Sequence, residues 1–225
     1  MTAAWTTHHV ELLPDTVRKR FRPTADTTPS REWRALTLLA RHAPGLATRP
    51  LSLTGRTVTM TRLPGLPLRG TALTDRHLDA LARTVDRLLH AVPPGAAAAL
   101  LAGCATAVPV LGQADGNLAN HLWDGAEVRL VDFEDSGRSD RPYEPAELVE
   151  HVSARVDTDL DAAAFLSRFA LPAVESARLR ECRRLFALLW LVFLAGDPAT
   201  AARNPPGTGG RQAGRLLGLL GLPTA

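Results

Sequence analysis

The chain has 225 residues, of which 45% are hydrophobic, a proportion typical of globular proteins that argues against disorder. Its net charge is only +3, and arginines alternate with acidic residues along the chain, so nucleic-acid binding is not indicated. The two cysteines are far apart, and the N-terminus lacks an apolar signal region. The most apolar run, residues 185–195, has about half the length needed to span a bilayer. We therefore expect a soluble, cytoplasmic protein without a disulfide framework and without a membrane partner.

Short strands are predicted in the first third of the chain, between clusters of turn-forming residues. Two hairpins are expected, with turns at Pro14-Asp15 and Thr54-Gly55. An amphipathic helix is predicted between the hairpins over residues 31–40, with Ser30 as its N-cap. The strands of the two hairpins are predicted at 8–13, 16–21, 50–53 and 56–62.

Beyond residue 63 the sequence becomes predominantly helical. The stiff segment 63–67, rich in Pro, is the expected boundary between an N-terminal lobe, 1–63, and a C-terminal lobe, 64–225. A short hairpin is predicted through Asp124-Gly125, and residues 204–210 are predicted to form a loop. Helices are predicted at 75–90, 145–154, 159–169, 175–195 and 211–220, and hairpin strands at 121–123 and 127–131. Strands followed by helices indicate an α+β fold with two lobes and a cleft between them.

Lys19 is the only lysine among 26 basic residues. One explanation is a site that requires a compact ammonium ion, such as a phosphate-binding lysine on a strand, which arginine cannot replace. The other explanation is that one lysine has persisted by chance on a solvated strand. Composition alone does not separate the two, so the decision depends on the rest of the sequence.

A second group of polar residues is predicted in two loops of the C-terminal part. Asp115 is followed five residues later by Asn120, and the apolar residues 128–131 lead into Asp132. Phosphoryl transfer needs this combination, an aspartate that takes a proton from the acceptor hydroxyl and oxygen ligands for Mg²⁺. Because the hairpin at Asp124-Gly125 returns the chain, Asn120 and Asp132 are expected to face one pocket. Each residue alone is equally compatible with a turn or a strand end, but the joint spacing favours a site.

With residues 113–120 (Gln-Ala-Asp-Gly-Asn-Leu-Ala-Asn) and 131–134 (Val-Asp-Phe-Glu), the chain resembles the aminoglycoside phosphotransferase and choline kinase family. The resemblance extends over about residues 5–195. It implies a two-lobed protein-kinase-like fold with a small β-rich N-lobe and a larger helical C-lobe. It also implies Mg²⁺ and ATP or GTP as cofactors.

The resemblance assigns roles in the C-terminal lobe. It implies that Asp115 is the catalytic base and that Asn120 and Asp132 are the Mg²⁺ ligands. Without a cation, Asp115 and Asp132 are expected to repel each other, which would raise the pKa of one of them.

The resemblance also assigns roles in the N-terminal lobe. Lys19 corresponds to the strand lysine that contacts the nucleotide phosphates, and Glu32 to the helix glutamate that pairs with it. The alternative for Glu32 is an ordinary acid in the first turn of a helix, favoured there by the helix dipole. Residues 60–65 correspond to the hinge beside the adenine, with Met60 and Arg62 as nucleotide-binding positions.

The sequence departs from the family pattern in three places. Gln113 stands where the family has a histidine that supports the catalytic loop, and Glu144 replaces an aspartate at a helix start. Only 18 residues precede Lys19, and residues 3–7 contain no glycine, so the glycine-rich loop over the phosphates is expected to be absent or differently supplied. Either the true start lies upstream of Met1 or the N-lobe is trimmed. A trimmed lobe would expose a sheet edge that a protein partner could complete.

The acceptor is the least specified part of the predicted site. An acidic C-lobe suits a cationic acceptor, although a solvated helix face explains the acidic residues equally well. Phe133, Tyr143 and Trp190 are candidates for an acceptor pocket, with core packing as the alternative. The acidic residues are Glu134, Asp135, Asp140, Glu144, Glu147 and Glu150.

Three functions fit these observations. The first is transfer of the γ-phosphoryl group of ATP or GTP to a hydroxyl of a small molecule, such as an aminoglycoside-like alcohol. The second keeps this chemistry but uses a Ser or Thr hydroxyl of a peptide, as in pathways that produce modified peptides. The third is a pseudokinase, a binding or scaffolding module without transfer activity. The motif residues favour an enzyme, whereas Gln113 and the missing glycine-rich loop favour the pseudokinase.

Overall fold

The computed structural model describes residues 8–23, 28–98 and 108–223. Within these ranges, the first third of the chain forms an antiparallel sheet with one helix packed against it. The remainder is predominantly helical and contains two smaller antiparallel sheets. The α+β class predicted from the sequence is confirmed.

The N-terminal sheet has four antiparallel strands, which are β1 (His9–Leu12), β2 (Thr16–Arg20), β3 (Pro50–Thr54) and β4 (Thr57–Thr61). Their order across the sheet is β1-β2-β4-β3, so β2 is an interior strand. In β2, Lys19 pairs with Val10 of β1 and Val58 of β4. Because side chains alternate along a strand, Lys19 points to the opposite face from Arg18 and Arg20, and it is the buried member of the three.

Helix α1 (Thr28–His42) connects the two hairpins and packs against the sheet. The helix begins earlier than predicted, and Ser30 lies inside its first turn, so the prediction of Ser30 as N-cap was wrong. Pro29 is compatible with this early start because its fixed φ is helical and the first turn needs no helical N–H partner. Glu32 and Leu39, seven positions apart, both lie on the buried face of the helix. A carboxylate is therefore carried into the interior by the apolar face of α1.

Seven helices follow the sheet in the described ranges, which are α2 (Asp75–Ala91), α3 (Pro94–Ala98), α4 (Tyr143–Glu150), α5 (Ala162–Leu166), α6 (Ala173–Gly196), α7 (Pro198–Ala202) and α8 (Thr208–Leu220). The predicted helix 145–154 ends early, because His151 leaves the helical conformation and caps a separate 3-10 turn at Val152–Ala154. Helix α5 is shorter than predicted, and α8 begins inside the predicted loop 204–210.

Short strands join these helices, and they are β5 (Leu66–Pro67), β6 (Val110–Gly112), β7 (His121–Trp123), β8 (Val128–Leu130) and β9 (Gly137–Ser139). Strands β7 and β8 form the hairpin predicted through Asp124-Gly125, and β5 pairs with β7. Strands β6 and β9 pair with each other. The sequence did not predict β5, β6 and β9, because two or three residues are too few to show an alternating pattern.

One apolar core includes residues from both predicted lobes. Leu36 and Met60, from before residue 63, are buried with Leu88, Leu130 and Phe133, from after it. The lobe boundary at residue 63 therefore stays a prediction. A second core lies among α2, α4 and α5. None of the helices in the described ranges combines the length and hydropathy needed to cross a bilayer.

A completely buried carboxylate ties the C-terminal helices together. Glu150 Oε1 accepts hydrogen bonds from Arg183 Nε (2.8 Å) and Arg215 Nη2 (2.7 Å). Its Oε2 accepts from Arg215 Nε (2.9 Å) and Arg155 Nη1 (3.2 Å), and Arg155 also donates to Gln212 in α8 (2.7 Å). Because the three arginines come from α6, α8 and the turn after α4, the interaction holds these elements in one arrangement.

Candidate active site

Lys19 lies within a group of three carboxylates. Its Nζ atom is 2.6 Å from Oδ1 of Asp132, 2.7 Å from Oε2 of Glu134 and 3.0 Å from Oε2 of Glu32. The lysine side chain is only 7% exposed, which excludes the explanation of a lysine kept by chance on a solvated strand. Burial alone would lower the pKa of Lys19, but the three neighbouring carboxylates outweigh burial and raise this pKa well above its usual value. Lys19 is therefore charged throughout the physiological pH range.

Glu32 links the lysine to the segment after β8. Its Oε2 contacts Lys19, and its Oε1 accepts a hydrogen bond from the backbone N–H of Phe133 at 3.3 Å. Burial raises the pKa of Glu32 to about 7, and the charge of Lys19 opposes this rise. The charged state of Glu32 thus depends on the ammonium beside it, as expected for a buried ion pair.

The backbone of the segment that carries Asp132 is stabilised by hydrogen bonds from a buried glutamine. Asp132 has a φ of +66°, an uncommon conformation for a residue with a side chain. Gln113 donates from Nε2 to the carbonyl oxygens of Val131 (2.7 Å) and Asp132 (3.2 Å). The buried carboxylate of Glu144 accepts from the N–H of Gln113 (2.9 Å) and from Oγ of Ser139 (2.5 Å). Gln113 and Glu144, two of the three departures from the family pattern, therefore both support this part of the chain.

Asp115 is oriented by its own loop. Its Oδ1 accepts from the N–H of Asn117 (3.0 Å), and its Oδ2 accepts from Nδ2 of Asn120 (2.7 Å). Gly116 lets the loop lie directly on α4, because a Cβ atom there would be 2.7 Å from backbone atoms of Leu148. The loop thus presents the Asp115 carboxylate from a fixed position on the helix.

The surroundings of Asp115 suit a group that exchanges protons near neutral pH. Burial raises the pKa of Asp115 to about 7, assisted by the charges of Asp132 and Asp135. The sequence predicted that repulsion between Asp115 and Asp132 would raise a pKa. It did not predict that burial contributes more than this repulsion to the raised pKa of Asp115. A carboxylate with a pKa near 7 can take a proton from a hydroxyl and release it again.

Oxygen ligands for a divalent cation gather around Asp132. One carboxylate oxygen each from Glu32, Asp132 and Glu134 lies within 4.8 Å of the others. Mg²⁺ prefers oxygen donors of this kind, and three carboxylates against one ammonium leave negative charge for it to neutralise. Asn120 directs its Nδ2 to Asp115, so Oδ1 is the amide atom suited to a cation. The residues fit Mg²⁺. Glu134 was not predicted in this role, although an acid two residues after Asp132 was the signal for it.

Met60 and Arg62, the two residues predicted to bind nucleotide, make structural contacts. The Met60 side chain is part of the apolar core, and Arg62 donates from Nη1 to the carbonyl oxygen of Leu13 at 3.1 Å. Because the hinge prediction concerned mainly backbone groups of residues 60–65, the nucleotide contact of these two residues stays a prediction. Residues 3–7, at the position of the glycine-rich loop, lie outside the described residues.

The six acidic residues considered as acceptor-binding candidates divide into two groups. Asp135 and Glu147 lie near Asp115, and Glu134 contacts Lys19, so these three border the site. Burial, followed by the charges of Glu144 and Asp115, raises the pKa of Glu147 well above its usual value. The other three have structural partners, and they are Asp140, which binds Arg178, and Glu144 and Glu150, described above.

Of the three aromatic candidates for an acceptor pocket, Phe133 and Tyr143 pack in the interior, and Trp190 contacts His151. Phe133 is completely buried in the first core, and Tyr143 packs edge-on against Phe186 with ring centres 4.8 Å apart. The Trp190 ring packs edge-on against His151, with ring centres 4.5 Å apart. Core packing therefore explains Phe133 and Tyr143.

Two histidines border the site without any motif that would have assigned them a role. Nε2 of His151 is 3.9 Å from Oδ1 of Asp115. Nε2 of His8 is 3.0 Å from Oε2 of Glu134, and its Nδ1 accepts from the N–H of Arg22. The sequence contains no ligand-type spacing around either residue, so only the folded structure reveals these contacts.

Comparisons with known proteins find similarity in structure but not in sequence. No model of a protein family matches the chain, and no curated protein matches it. The structure is similar to APH(2")-IIa in complex with gentamicin, with a TM-score of 0.66 and 11% identity over 93% of this chain and 87% of that chain.

The structure is also similar to a choline/ethanolamine kinase family protein and to a choline kinase. A choline/ethanolamine kinase family protein from Mesorhizobium loti has a TM-score of 0.66 and 16% identity, over 97% of this chain and 86% of that chain. The choline kinase LicA from Streptococcus pneumoniae has a TM-score of 0.62 and 13% identity, over 98% and 92% of the two chains. These structural neighbours are small-molecule phosphotransferases, and at such low identity the likeness concerns the fold. The chain therefore has the two-lobed, protein-kinase-like fold of the aminoglycoside phosphotransferases and choline kinases, as the sequence motifs implied.

Proposed function

We propose that the protein is a phosphotransferase that moves the γ-phosphoryl group of ATP or GTP to a hydroxyl group of a small molecule, with Mg²⁺ as cofactor. The observation that carries this proposal is the convergence of Lys19 and Asp132 from distant parts of the chain, with the Asp115 carboxylate nearby. A scaffold has no need for a buried ammonium, a cation site and a near-neutral carboxylate in one place.

Each of these groups has a defined task in the proposed reaction. The Lys19 ammonium, held by Glu32, binds nucleotide phosphates as a compact positive charge. Asp132, Glu134 and Asn120 hold Mg²⁺, which neutralises charge on the phosphates. Asp115 orients the acceptor hydroxyl and takes its proton as the acceptor oxygen bonds to phosphorus. Positioning and charge neutralisation supply most of the catalysis in such transfers.

A basic cleft beside the carboxylate group supports a polyphosphate substrate. The cleft has a volume of about 700 Å³, and its lining includes His8, Arg20, Arg22 and Arg56. His8 also contacts Glu134, so the cleft borders the cation site. We propose that the guanidinium groups of Arg22 and Arg56 supply positive charge to the phosphates on this side of the site.

For the acceptor, we propose a small hydroxyl compound, and the structural neighbours suggest which compounds to test first. One was solved with gentamicin and two are choline or choline/ethanolamine kinases. The carboxylates of Asp135 and Glu147 near Asp115 favour an acceptor that carries positive charge.

Thermal melting and phosphate release test the proposal together. With Mg²⁺ and ATP or GTP at 100 times the dissociation constant, the protein should gain about 2.7 kcal/mol of stability. Phosphate release should fall by about 10²- to 10⁴-fold in Asp115→Asn, which keeps the shape of the side chain but removes the base. Asp86→Asn makes the same change at an exposed residue, so it serves as a matched control and should leave the rate unchanged.

The outcomes separate the three functions. If neither nucleotide raises the melting temperature, the protein is a scaffold and the proposal is wrong. If gentamicin or choline accelerates nucleotide consumption, it identifies the acceptor class. If only a peptide containing Ser or Thr does so, the acceptor is a peptide hydroxyl. Equal rates in Asp115→Asn and the parent would remove Asp115 from the role of base.

A further inference from the structure

His151 faces Asp115 across a gap of defined size. Its Nε2 atom is 3.9 Å from Oδ1 of Asp115, and the imidazole side chain is only 8% exposed. This distance is too long for a direct hydrogen bond. However, a single oxygen atom placed between the two groups can lie about 2.8 Å from both, which is an ordinary hydrogen-bond distance.

The hydrogen bonds of His151 determine which ring nitrogen carries the proton. Nδ1 lies 3.0 Å from the backbone N–H of Ser153, which can only donate, so Nδ1 must be the acceptor. The hydroxyl of Ser153 lies 2.7 Å from the same Nδ1, and its Oγ accepts from the N–H of Leu118 at 2.9 Å. The hydroxyl proton therefore also points to Nδ1. In the neutral ring the proton must then be on Nε2, so that an N–H group faces Asp115.

The surroundings keep this ring neutral and fixed. Burial, followed by the positive charges of Arg69 and Arg155, lowers the pKa of His151 to about 3. Trp190 covers one side of the ring, with its own ring edge-on at 4.5 Å between centres. The helix that ends at His151 is also the surface on which Gly116 of the catalytic loop rests. The Nε2–H group and the Asp115 carboxylate are thus positioned by the same helix.

We propose that His151 binds the acceptor hydroxyl, with Nε2–H donating to the acceptor oxygen while the hydroxyl proton points to Oδ1 of Asp115. This inference rests on the proposed phosphotransferase function and adds an acceptor-binding residue to it. In the transfer, the acceptor oxygen forms a bond to the γ-phosphorus and its proton passes to Asp115. The bond from the γ-phosphorus to the bridging oxygen breaks, and its electron pair leaves on the nucleoside diphosphate. His151 keeps its proton throughout.

The capping role of His151 allows a variant that separates structure from acceptor binding. In His151→Asn, the shorter side chain can still accept from the N–H of Ser153, since asparagine is a good cap. It cannot, however, place a donor near Asp115. In His151→Gln, the longer side chain can place an N–H close to the original Nε2 position. His151→Leu removes both the cap and the donor.

The test measures phosphate release from Mg²⁺-ATP or Mg²⁺-GTP, in which water is the acceptor, so no knowledge of the natural acceptor is needed. We expect His151→Asn to lower kcat at least tenfold, with the KM for nucleotide within twofold of the parent and an unchanged melting temperature. His151→Gln should recover a large part of the lost rate. If His151→Asn has the parent kcat, or if kcat only follows the melting temperature across the three variants, the inference is wrong.

A second measurement tests the geometry without any activity. In ¹⁵N NMR spectra of the parent, with His151 assigned by the signal missing in His151→Gln, the ring should remain neutral with its proton on Nε2 from pH 5 to pH 8. A proton on Nδ1, or a ring that becomes charged in this range, would overturn the inference even if the protein is an active phosphotransferase. A parent protein that neither binds nor hydrolyses nucleotide would instead refute the proposed function and the acceptor role together.

Discussion

The Nζ atom of Lys19 lies 2.6 Å from Oδ1 of Asp132, although the two residues are 113 positions apart in the chain. This contact joins an interior strand of the N-terminal sheet to the segment after β8. A buried position in contact with several carboxylates requires a cation whose charge and size match them.

Replacement of Lys19 is predicted to reduce both stability and nucleotide binding. Lys19→Met leaves the carboxylates of Glu32, Asp132 and Glu134 without their counter-ion, and we expect a loss of about 3–5 kcal/mol in the free energy of unfolding. Lys19→Arg keeps the charge but is too large and planar for the same contacts, so the nucleotide-dependent rise in melting temperature should shrink. Arg18→Met, on the exposed face of the same strand, is the control. An unchanged nucleotide response in Lys19→Arg would refute a requirement for the ammonium.

Gln113 is predicted to stabilise the segment that carries Asp132. In Gln113→Leu, which has a similar volume, the carbonyl oxygens of Val131 and Asp132 lose their donor. We expect this loss to cost about 1–3 kcal/mol in urea unfolding. The Mg²⁺ affinity should also weaken, because the unusual φ of Asp132 loses support. Full retention of both properties would mean that another donor holds the segment.

Mg²⁺ without nucleotide is predicted to stabilise the protein, because three acidic side chains gather around one ammonium. The rise in melting temperature at millimolar Mg²⁺ should fall by half or more in Asp132→Asn. Asp86→Asn, which changes an exposed carboxylate of α2, should keep the full rise. Sodium chloride at equal ionic strength provides the comparison for general screening. An equal response of both variants would argue against a cation site at Asp132.

His121 is predicted to make stability depend on pH. Burial lowers the pKa of His121 to about 4, while an unfolded chain has the ordinary value near 6.5. As the pH falls from about 6 to 4, the unfolded chain takes up a proton that the folded chain does not, so His121 destabilises the folded state progressively. Relative to His121→Gln, the parent should lose up to about 1.4 kcal/mol per pH unit in this window. A constant difference between the two proteins across these pH values would contradict the buried, neutral ring.

Glu150 is predicted to be the most sensitive acidic position of the C-terminal part. Glu150→Gln removes the completely buried charge that binds three partly buried arginines, and we expect a loss of about 3 kcal/mol or more in denaturant unfolding. Glu181→Gln breaks the exposed pair with Arg184 and should cost less than about 1 kcal/mol. If the two substitutions cost the same, the cluster does not hold α6 and α8 in place.

The sequence was informative where local patterns determine structure. Turn residues and alternating side chains predicted the two N-terminal hairpins, and the spacing from Asp115 to Asn120 predicted a loop that can bind a cation and a hydroxyl. The same patterns failed for strands of two or three residues, and they missed the first turn of α1 because a proline next to its start resembles a break.

Contacts between distant segments were harder to predict. The pairing of Lys19 with Glu32 came from resemblance to a family, whereas the positions of His8 and His151 depend on how helices and loops pack in three dimensions. The acidic residues illustrate the same limit. Glu147 and Glu150 lie three positions apart on α4, yet one borders the site and the other binds arginines in the interior.

The separation between Lys19 and Asp132 also has a consequence for how the protein acquires its site. Closing a loop of this length costs entropy that is recovered only when the surrounding core has formed. We therefore expect the ion group to assemble late in folding, and neither half of the chain can form it separately. Nucleotide affinity would then report whether the whole chain has reached its native state, which makes a labelled nucleotide a direct probe for refolding experiments and for fragments that lack either half.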